Sequence, residues 1–348
     1  MTTTTTTTGI EIERDMTTAW TGRRQLGRSG VETSAMGLGG WAIGGPTWWN
    51  GKPVGWADVD DNESMRAIQR ALDLGITFFD TAPAYGAGHS ERILGRALAD
   101  HRDDVAISTK FGIGIDERNR TLTGLMTVPD AGRIARECDA SLQRLGTDVI
   151  DLYWCHPSEL PKEHAAEVRD ALEDLVAAGK IRSYGWSTDS PAGAAIFAEG
   201  AGCSAVQHEL NLFSDAPDML ALCEHFDLAS VNRSPLAMGL LTGKFSPETR
   251  LSPDDVRGDE PDWLQWFAGG QPRPEFLARL ESVREIVCSG GRTPAQGALA
   301  WIWARSERTI PIPGFRTVAQ VEENAAALHH GPLHPEQLAE IAAILCRE

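Results

Sequence analysis

The sequence has no apolar run approaching the roughly 18–20 residues that a membrane-spanning helix needs, which argues against an integral membrane protein held by such helices. It lacks an excess of positive charge. The formal net charge of −17 argues against nucleic acid or an anionic membrane as the main partner. An anionic cofactor stays open, because local cations can hold a phosphate on an acidic protein. Its six cysteines, Cys138, Cys155, Cys203, Cys223, Cys288 and Cys346, form no CxxC pair and no dense framework. That spacing fits reduced thiols and a cytoplasmic setting, and implies no metal site. The opening threonine tract has no apolar stretch of the signal-peptide kind. Residues 1–21 are expected to be a disordered tail, within which Met16 is a candidate internal start.

What is present is an ordinary globular composition, 42% hydrophobic and 23% charged over 348 residues. Short β-branched runs alternate with helical patterns along nearly the whole chain. The first strand is expected near Ser34–Gly39, with its helix over Asn62–Leu74. Strands then read at Ile76–Phe79, Asp104–Lys110, Asp148–Trp154, Ile181–Ser187, Ala205–His208, Leu228–Val231 and Thr309–Ile312. Their helices read at Ser90–Ala99, Asp130–Leu145, His164–Ala178, Pro191–Glu199, Ala216–His225, Pro294–Arg305 and Thr317–Leu328. Eight β-α units with no linker between them predict an α/β fold, a (β/α)₈ TIM barrel forming one domain over residues 22–348. The glycine-rich segments do not place GxGxxG between a strand and a helix, which disfavours a doubly wound dinucleotide fold. Arg23–Gln25 and Val31–Thr33 flank a turn and predict an N-terminal β-hairpin on the barrel floor. A long polar segment over 245–274, an extra helix after it and another near Pro335–Leu345 lie outside the eight units. Long loops of this kind are usually functional, here as substrate loops.

In such a barrel the active site lies where the strands end. Strand ends carry Asp80, Lys110, His156, Ser187, Gln207 and Arg233, with Tyr85 shortly after Asp80. A phenol with its ordinary pKa near 10 exchanges protons poorly at neutral pH. A lysine cation beside it favours the phenolate, an aspartate can hold that lysine, and a histidine can polarise a carbonyl oxygen.

The local text sharpens this. Phe78-Phe79-Asp80-Thr81-Ala82-Pro83-Ala84-Tyr85-Gly86, Ile107-Ser108-Thr109-Lys110 and Asp151-Leu152-Tyr153-Trp154-Cys155-His156 resemble the second-, third- and fourth-strand segments of the aldo-keto reductase family. The resemblance runs from about Arg24 to Leu328 and is to the bacterial and channel-β-subunit-like branch rather than the mammalian aldose reductase branch. It implies Tyr85 as general acid, Lys110 as its pKa modulator, Asp80 as the lysine's partner and His156 as the substrate-orienting group. It further implies a cofactor, NADPH/NADP⁺ in preference to NADH. Gly40, Trp41 and Asp80 would lie against that cofactor. Ser187, Thr188 and Gln207 would hold the nicotinamide carboxamide. Ser234, Pro235, Leu236, Met238, Lys244 and Arg257 would wrap the pyrophosphate. Gly314, Arg316, Gln320, Glu323 and Asn324 would form the adenosine end, with Arg316 on the 2′-phosphate. Arg233 departs from the resemblance, since an aromatic residue usually stands there against the nicotinamide. A cation at that place predicts tighter binding of the reduced cofactor than of the oxidised one.

The loops above Tyr85 are aromatic. Trp48, Trp49 and Trp186, with Tyr85 and His156, are expected to line the substrate pocket, and Trp56, Trp154, Trp263, Trp266 and Phe267 stand nearby in the sequence. The expected activity is NADPH-dependent reduction of an aldehyde or ketone to an alcohol, reversible, in a monomer or homo-oligomer. Two rivals remain open. One is a cofactor-binding redox-sensing subunit with little turnover, and the other a barrel isomerase or aldolase using Lys110 as a Schiff base.

Overall fold

The computed structural model describes residues 20–258 and 264–346. Eight parallel strands stand in chain order around one sheet: β1 (Leu38–Gly39), β2 (Phe78–Asp80), β3 (Ala106–Phe111), β4 (Ile150–Cys155), β5 (Ile181–Ser187), β6 (Cys203–Glu209), β7 (Ala229–Arg233) and β8 (Thr309–Pro311). The first and last are joined by Gly37 N donating to Pro311 O at 3.0 Å and Gly39 N to Pro313 O at 3.0 Å, with a parallel bridge at Gly39–Gly314. The ring is therefore closed, as the eight β-α units predict. A Cβ at Gly39 would stand 2.9 Å from Ile312 O, so closure requires a glycine there.

The helices follow the strands on the outside: α1 (Asp61–Asp73), α2 (His89–Leu98), α3 (Ala131–Leu145), α4 (Lys162–Ala177), α5 (Pro191–Ala198), α6 (Pro217–His225), the extra α7 (Pro274–Val287), then α8 (Pro294–Arg305), α9 (Val318–His330) and the closing α10 (Pro335–Ile344). Their starts are chemically marked. Asp130 accepts from Arg133 N, Thr317 from Gln320 N, and Thr293 forms a capping box with Gln296. Helix α3 buries Ile134, Cys138, Ser141 and Leu145, one stripe of an amphipathic helix. Among the described residues no helix is long and apolar enough to cross a membrane.

Two apolar layers result from the alternation of strand side chains. Leu26, Phe78, Ala106, Leu152, Trp154, Ala205, Ala229, Val231, Ile310 and Ile312 fill the barrel. A larger layer, including Phe79, Ile107, Tyr153, Tyr184, Trp186 and Val206, lies between strands and helices. The N-terminal hairpin pairs Arg23–Gln25 with Glu32–Ser34, one residue later than the sequence pattern suggests, and inserts Leu26 into the barrel floor.

Three expectations need correction. The first barrel strand is only Leu38–Gly39, because Glu32–Ser34 is taken up by the hairpin. Trp20 does not belong to a tail: it packs on Trp303 at 5.0 Å and donates to Leu328 O at 2.8 Å. The remainder of the expected tail, residues 1–19, and Trp263 lie outside the described residues. The loops at the barrel mouth also carry short strands beyond those that the sequence pattern predicts. Trp48–Trp49 pairs with Lys52–Pro53 and, through Trp48, with Thr121 of a second hairpin, Ile113–Asp116 with Thr121–Leu125.

Candidate active site

The second strand delivers Asp80 into the barrel, where it is 1% exposed. An isolated carboxylate there would be costly, and the structure surrounds it with donors. Lys110 Nζ donates to Oδ2 at 2.6 Å. Ser108 Oγ (2.7 Å), Gln207 Nε2 (3.0 Å) and Trp154 Nε1 (3.1 Å) all donate to Oδ1. Strand register explains the gathering: Asp80 pairs with Ser108 across β2–β3, and Lys110 with Trp154 across β3–β4. Lys110 is fully buried, and it also donates to Thr81 O at 2.9 Å.

Tyr85 arrives on the loop after β2. Gly86, Ala87 and Gly88 all have left-handed φ, and Gly44 packs where a Cβ would meet the Tyr85 carbonyl carbon at 2.6 Å. Lys110 Nζ stands 4.9 Å from the Tyr85 ring centroid, and the His156 ring meets that of Tyr85 edge-on at 6.0 Å. Trp41 stacks on the Tyr85 ring with centroids 6.1 Å apart. The four residues from three strand ends are thus brought together.

Burial pushes the Tyr85 phenol above its ordinary value, and the Lys110 charge pulls against that rise. The phenol therefore keeps its proton at neutral pH. Burial disfavours the Lys110 ammonium, yet Asp80 and Tyr85 outweigh it and hold the lysine pKa up. His156 is pushed well below the usual histidine range by burial, then by Lys110 and Arg233, so the imidazole is neutral at pH 7.

Around the ring from this tetrad, Ser187 and Gln207 are paired across β5–β6, and Ser187 Oγ donates to Gln207 Oε1 at 3.1 Å. Thr188 is turned away, its hydroxyl donating to Ser158 O at 2.7 Å. After β7 the chain takes left-handed φ at Ser234 (53°), Ala237 (47°), Met238 (55°) and Gly239 (90°). Such conformations are sparsely populated away from glycine and turn successive amides to one side, a concavity suited to an anion. Pro235, Leu236 and Met238 are buried within this turn.

Three cations stand near it. Lys244 is lowered by desolvation and then by Arg257 and Arg316, so the three feel one another. Arg257 is held by both oxygens of Asp255 at 2.8 Å and by Met238 O at 3.2 Å, and stacks 4.4 Å over Trp56. Arg316 donates to Ala57 O at 2.9 Å, its amide is held by Gln320, and its guanidinium is 5.9 Å from Trp56. Gly40 lies against Asp80 through a 2.7 Å backbone bond, Gly314 bridges to Gly39, Asn324 is buried and Glu323 half-buried on α9 beyond Arg316. The chemistry of this donor set, an amide concavity with three cations at one end and a Ser–Gln pair at the other, fits a phosphorylated dinucleotide.

Not all expected pocket residues arrive. Trp186 faces the helices: it packs on Phe197 at 4.9 Å and donates to Pro157 O at 2.7 Å. It precedes the inward Ser187 by one residue, so strand alternation alone turns it outward. Trp154 lies inside the barrel, donating to Asp80 rather than lining the pocket. Trp48 and Trp49 sit in the small sheet at the mouth, with Trp48 39% exposed. Arg233 is engaged by Asp189 and, at 3.5 Å, by Glu209. Sequence reasoning had missed those carboxylates. It had also missed Ser108, whose position two residues before Lys110 marks it as sharing the same face.

The family model for the aldo/keto reductase family matches residues 35–345. The chain is 33% identical to the aldo-keto reductase yakc, named with NADP(+), of Schizosaccharomyces pombe, over 77% of this chain and 78% of that one. It is 32% identical to an NADH-specific methylglyoxal reductase of Escherichia coli, over 87% and 92%. Among solved structures, the glycerol dehydrogenase AKR11B4 of Gluconobacter oxydans superposes with a TM-score of 0.77 at 32% identity, covering 93% of this chain and 95% of that one. The chain belongs to the aldo-keto reductase family and is an NAD(P)H-dependent oxidoreductase.

Proposed function

We propose that the protein reduces an aldehyde or ketone to an alcohol with NADPH, reversibly, and that Tyr85 is the proton donor. The observation that carries this reading is the convergence of Tyr85, Lys110 and His156 over a buried Asp80. When bound, NADPH supplies the hydride. Ser187 and Gln207 would hold the carboxamide, the turn over 234–239 with Lys244 and Arg257 the pyrophosphate, and Arg316 the 2′-phosphate. An Arg316 guanidinium can hold a dianion by two parallel bonds, which favours NADPH over NADH.

The residues then divide the work. His156, neutral, donates one N–H to the carbonyl oxygen and orients it. Tyr85, protonated at neutral pH, gives its Oη proton to that oxygen as charge develops. Lys110 stabilises the phenolate left behind, and Asp80 keeps Lys110 charged and fixed. In the oxidative direction the phenolate accepts the alcohol proton.

Stopped-flow oxidation of NADPH against a panel of small aldehydes tests this. Turnover lost in Tyr85→Phe with cofactor binding retained is the expected result. Tight binding without turnover in the unaltered protein would instead assign a redox-sensing role, and borohydride trapping of a substrate on Lys110 would assign a Schiff-base enzyme.

A further inference from the structure

Asp80 is unevenly loaded. Among the described residues Oδ2 accepts from Lys110 alone, whereas Oδ1 accepts from Ser108, Trp154 and Gln207. All three donors on Oδ1 are neutral side chains from separate strands, β3, β4 and β6, and all three residues are at most 2% exposed. With Lys110 on Oδ2 and three donors on Oδ1, the roughly four lone-pair sites of the carboxylate are filled, and Lys110 is the one charged donor among them.

We propose that Ser108 and Trp154 are positioning residues for the proton transfer, tying up Oδ1 of Asp80 so that Lys110 acts on Tyr85 as well as on its own counter-ion. The inference rests on the reading of Tyr85 as proton donor. A lysine ammonium has three N–H groups. One goes to Asp80 Oδ2 and one to Thr81 O, which leaves one for the phenol, whose ring centre is 4.9 Å away. Each hydrogen bond to Oδ1 draws carboxylate charge to the side away from Lys110. With those donors removed, Asp80 cancels more of the ammonium's field and the phenolate is less well stabilised.

The charged groups around Tyr85 are few. Asp80 comes from β2, Lys110 from β3, His156 follows β4 and is neutral, and Arg233 from β7 is tied to Asp189 and Glu209. The neighbouring ends of β1, β5 and β8 bring Gly39, Ser187 and Pro311, none of them titratable. Gln207 also accepts from Ser187, so the Oδ1 set is continuous with the pair that would hold the carboxamide.

The sequence offers a direct readout, because it contains three tyrosines. Tyr153 is buried among apolar side chains and Tyr184 donates to Glu173 at 2.6 Å, and burial pushes both well above the ordinary phenol range. Spectrophotometric titration of the cofactor-free protein therefore has Tyr85 as its first phenolate step, which Tyr85→Phe identifies by removing it. In Ser108→Ala and in Trp154→Phe that step is expected to move upward, by about half a pH unit or more for loss of one hydrogen bond to a charged group. The alkaline limb of the alcohol-oxidation rate should move with it. A first step that stays in place in Ser108→Ala, the smaller change, overturns the inference while leaving the role of Tyr85 intact. Movement in Ser108→Ala but none in a folded Trp154→Phe overturns the part assigned to Trp154. Retained turnover in Tyr85→Phe would overturn the underlying reading instead.

Discussion

The floor of the active site and its phosphate end are built on opposite plans. Around Asp80 each charge has its partner in place: one ammonium and three neutral donors. At the phosphate end, Lys244, Arg257 and Arg316 are crowded together, with Asp255 and two backbone carbonyls as partial partners. The first arrangement is complete before anything binds and keeps its geometry. The second is an excess of like charge, relieved by an arriving anion. Reactivity is thus stored in a rigid, saturated pocket, and affinity in a strained, unsaturated one.

This contrast breaks most sharply at Tyr85. Tyr85→Phe is expected to lower kcat by about 10²–10⁴-fold, the usual worth of a general acid, with little change in cofactor affinity measured by fluorescence titration. Lys110→Met should cost stability as well as rate. It leaves Asp80 charged and unpaired in the barrel, a loss of about 3–5 kcal/mol measurable by urea unfolding. At the other end Arg316→Ala should do the reverse, weakening NADPH by roughly tenfold through loss of a charge-assisted contact while leaving NADH binding and the unfolding midpoint nearly unchanged. The pH profiles sharpen the comparison further. Reduction needs the protonated phenol, which burial holds above its ordinary value near 10. Its rate should therefore stay level across neutral pH and fall only in the alkaline range, while alcohol oxidation rises over that same range. No limb is expected near pH 6.5, because His156 is already neutral there. The smallest effect belongs to Arg233→Tyr. The preference for the reduced cofactor predicted for a cation at this position is damped by Asp189 and Glu209, so the ratio of NADPH to NADP⁺ affinity should change by only a few-fold.

Much of this was legible in the sequence because the barrel is a periodic object. Ile181–Ser187 and Pro294–Arg305 appear in the structure with the bounds their patterns imply, one a short run between a helix end at Gly179 and the next helix start, the other a helix opened by Thr293 and Pro294. The catalytic candidates were legible for the same reason, since strand ends share one rim. Less legible was which way a tryptophan faces. Trp154 and Trp186 both stand near strand ends, yet one donates to Asp80 and the other packs on Phe197. Only counting by twos from His156 and from Ser187 separates them. The sheet at the mouth is not legible because its strands are only two to five residues long, and Trp48 pairs with Thr121, some seventy residues away. Ion pairs such as Arg233 with Asp189 depend on loops meeting in space, which no local pattern records.

The closing of the ring at Gly37 and Gly39 has a consequence for how the molecule comes into being. The segment that receives their amides, Pro311 at the end of the last strand and Pro313 just after it, comes late in the sequence. Until it has been synthesised, the growing sheet keeps two open flanks, one at Leu38–Gly39 and one on whichever strand was added last. Those flanks are the places where an unfinished chain can recruit a neighbour's backbone. Once Pro311 and Pro313 accept from the glycines, the barrel sheet offers no such template. Resistance to aggregation in this barrel is therefore a property acquired late, with its last strand.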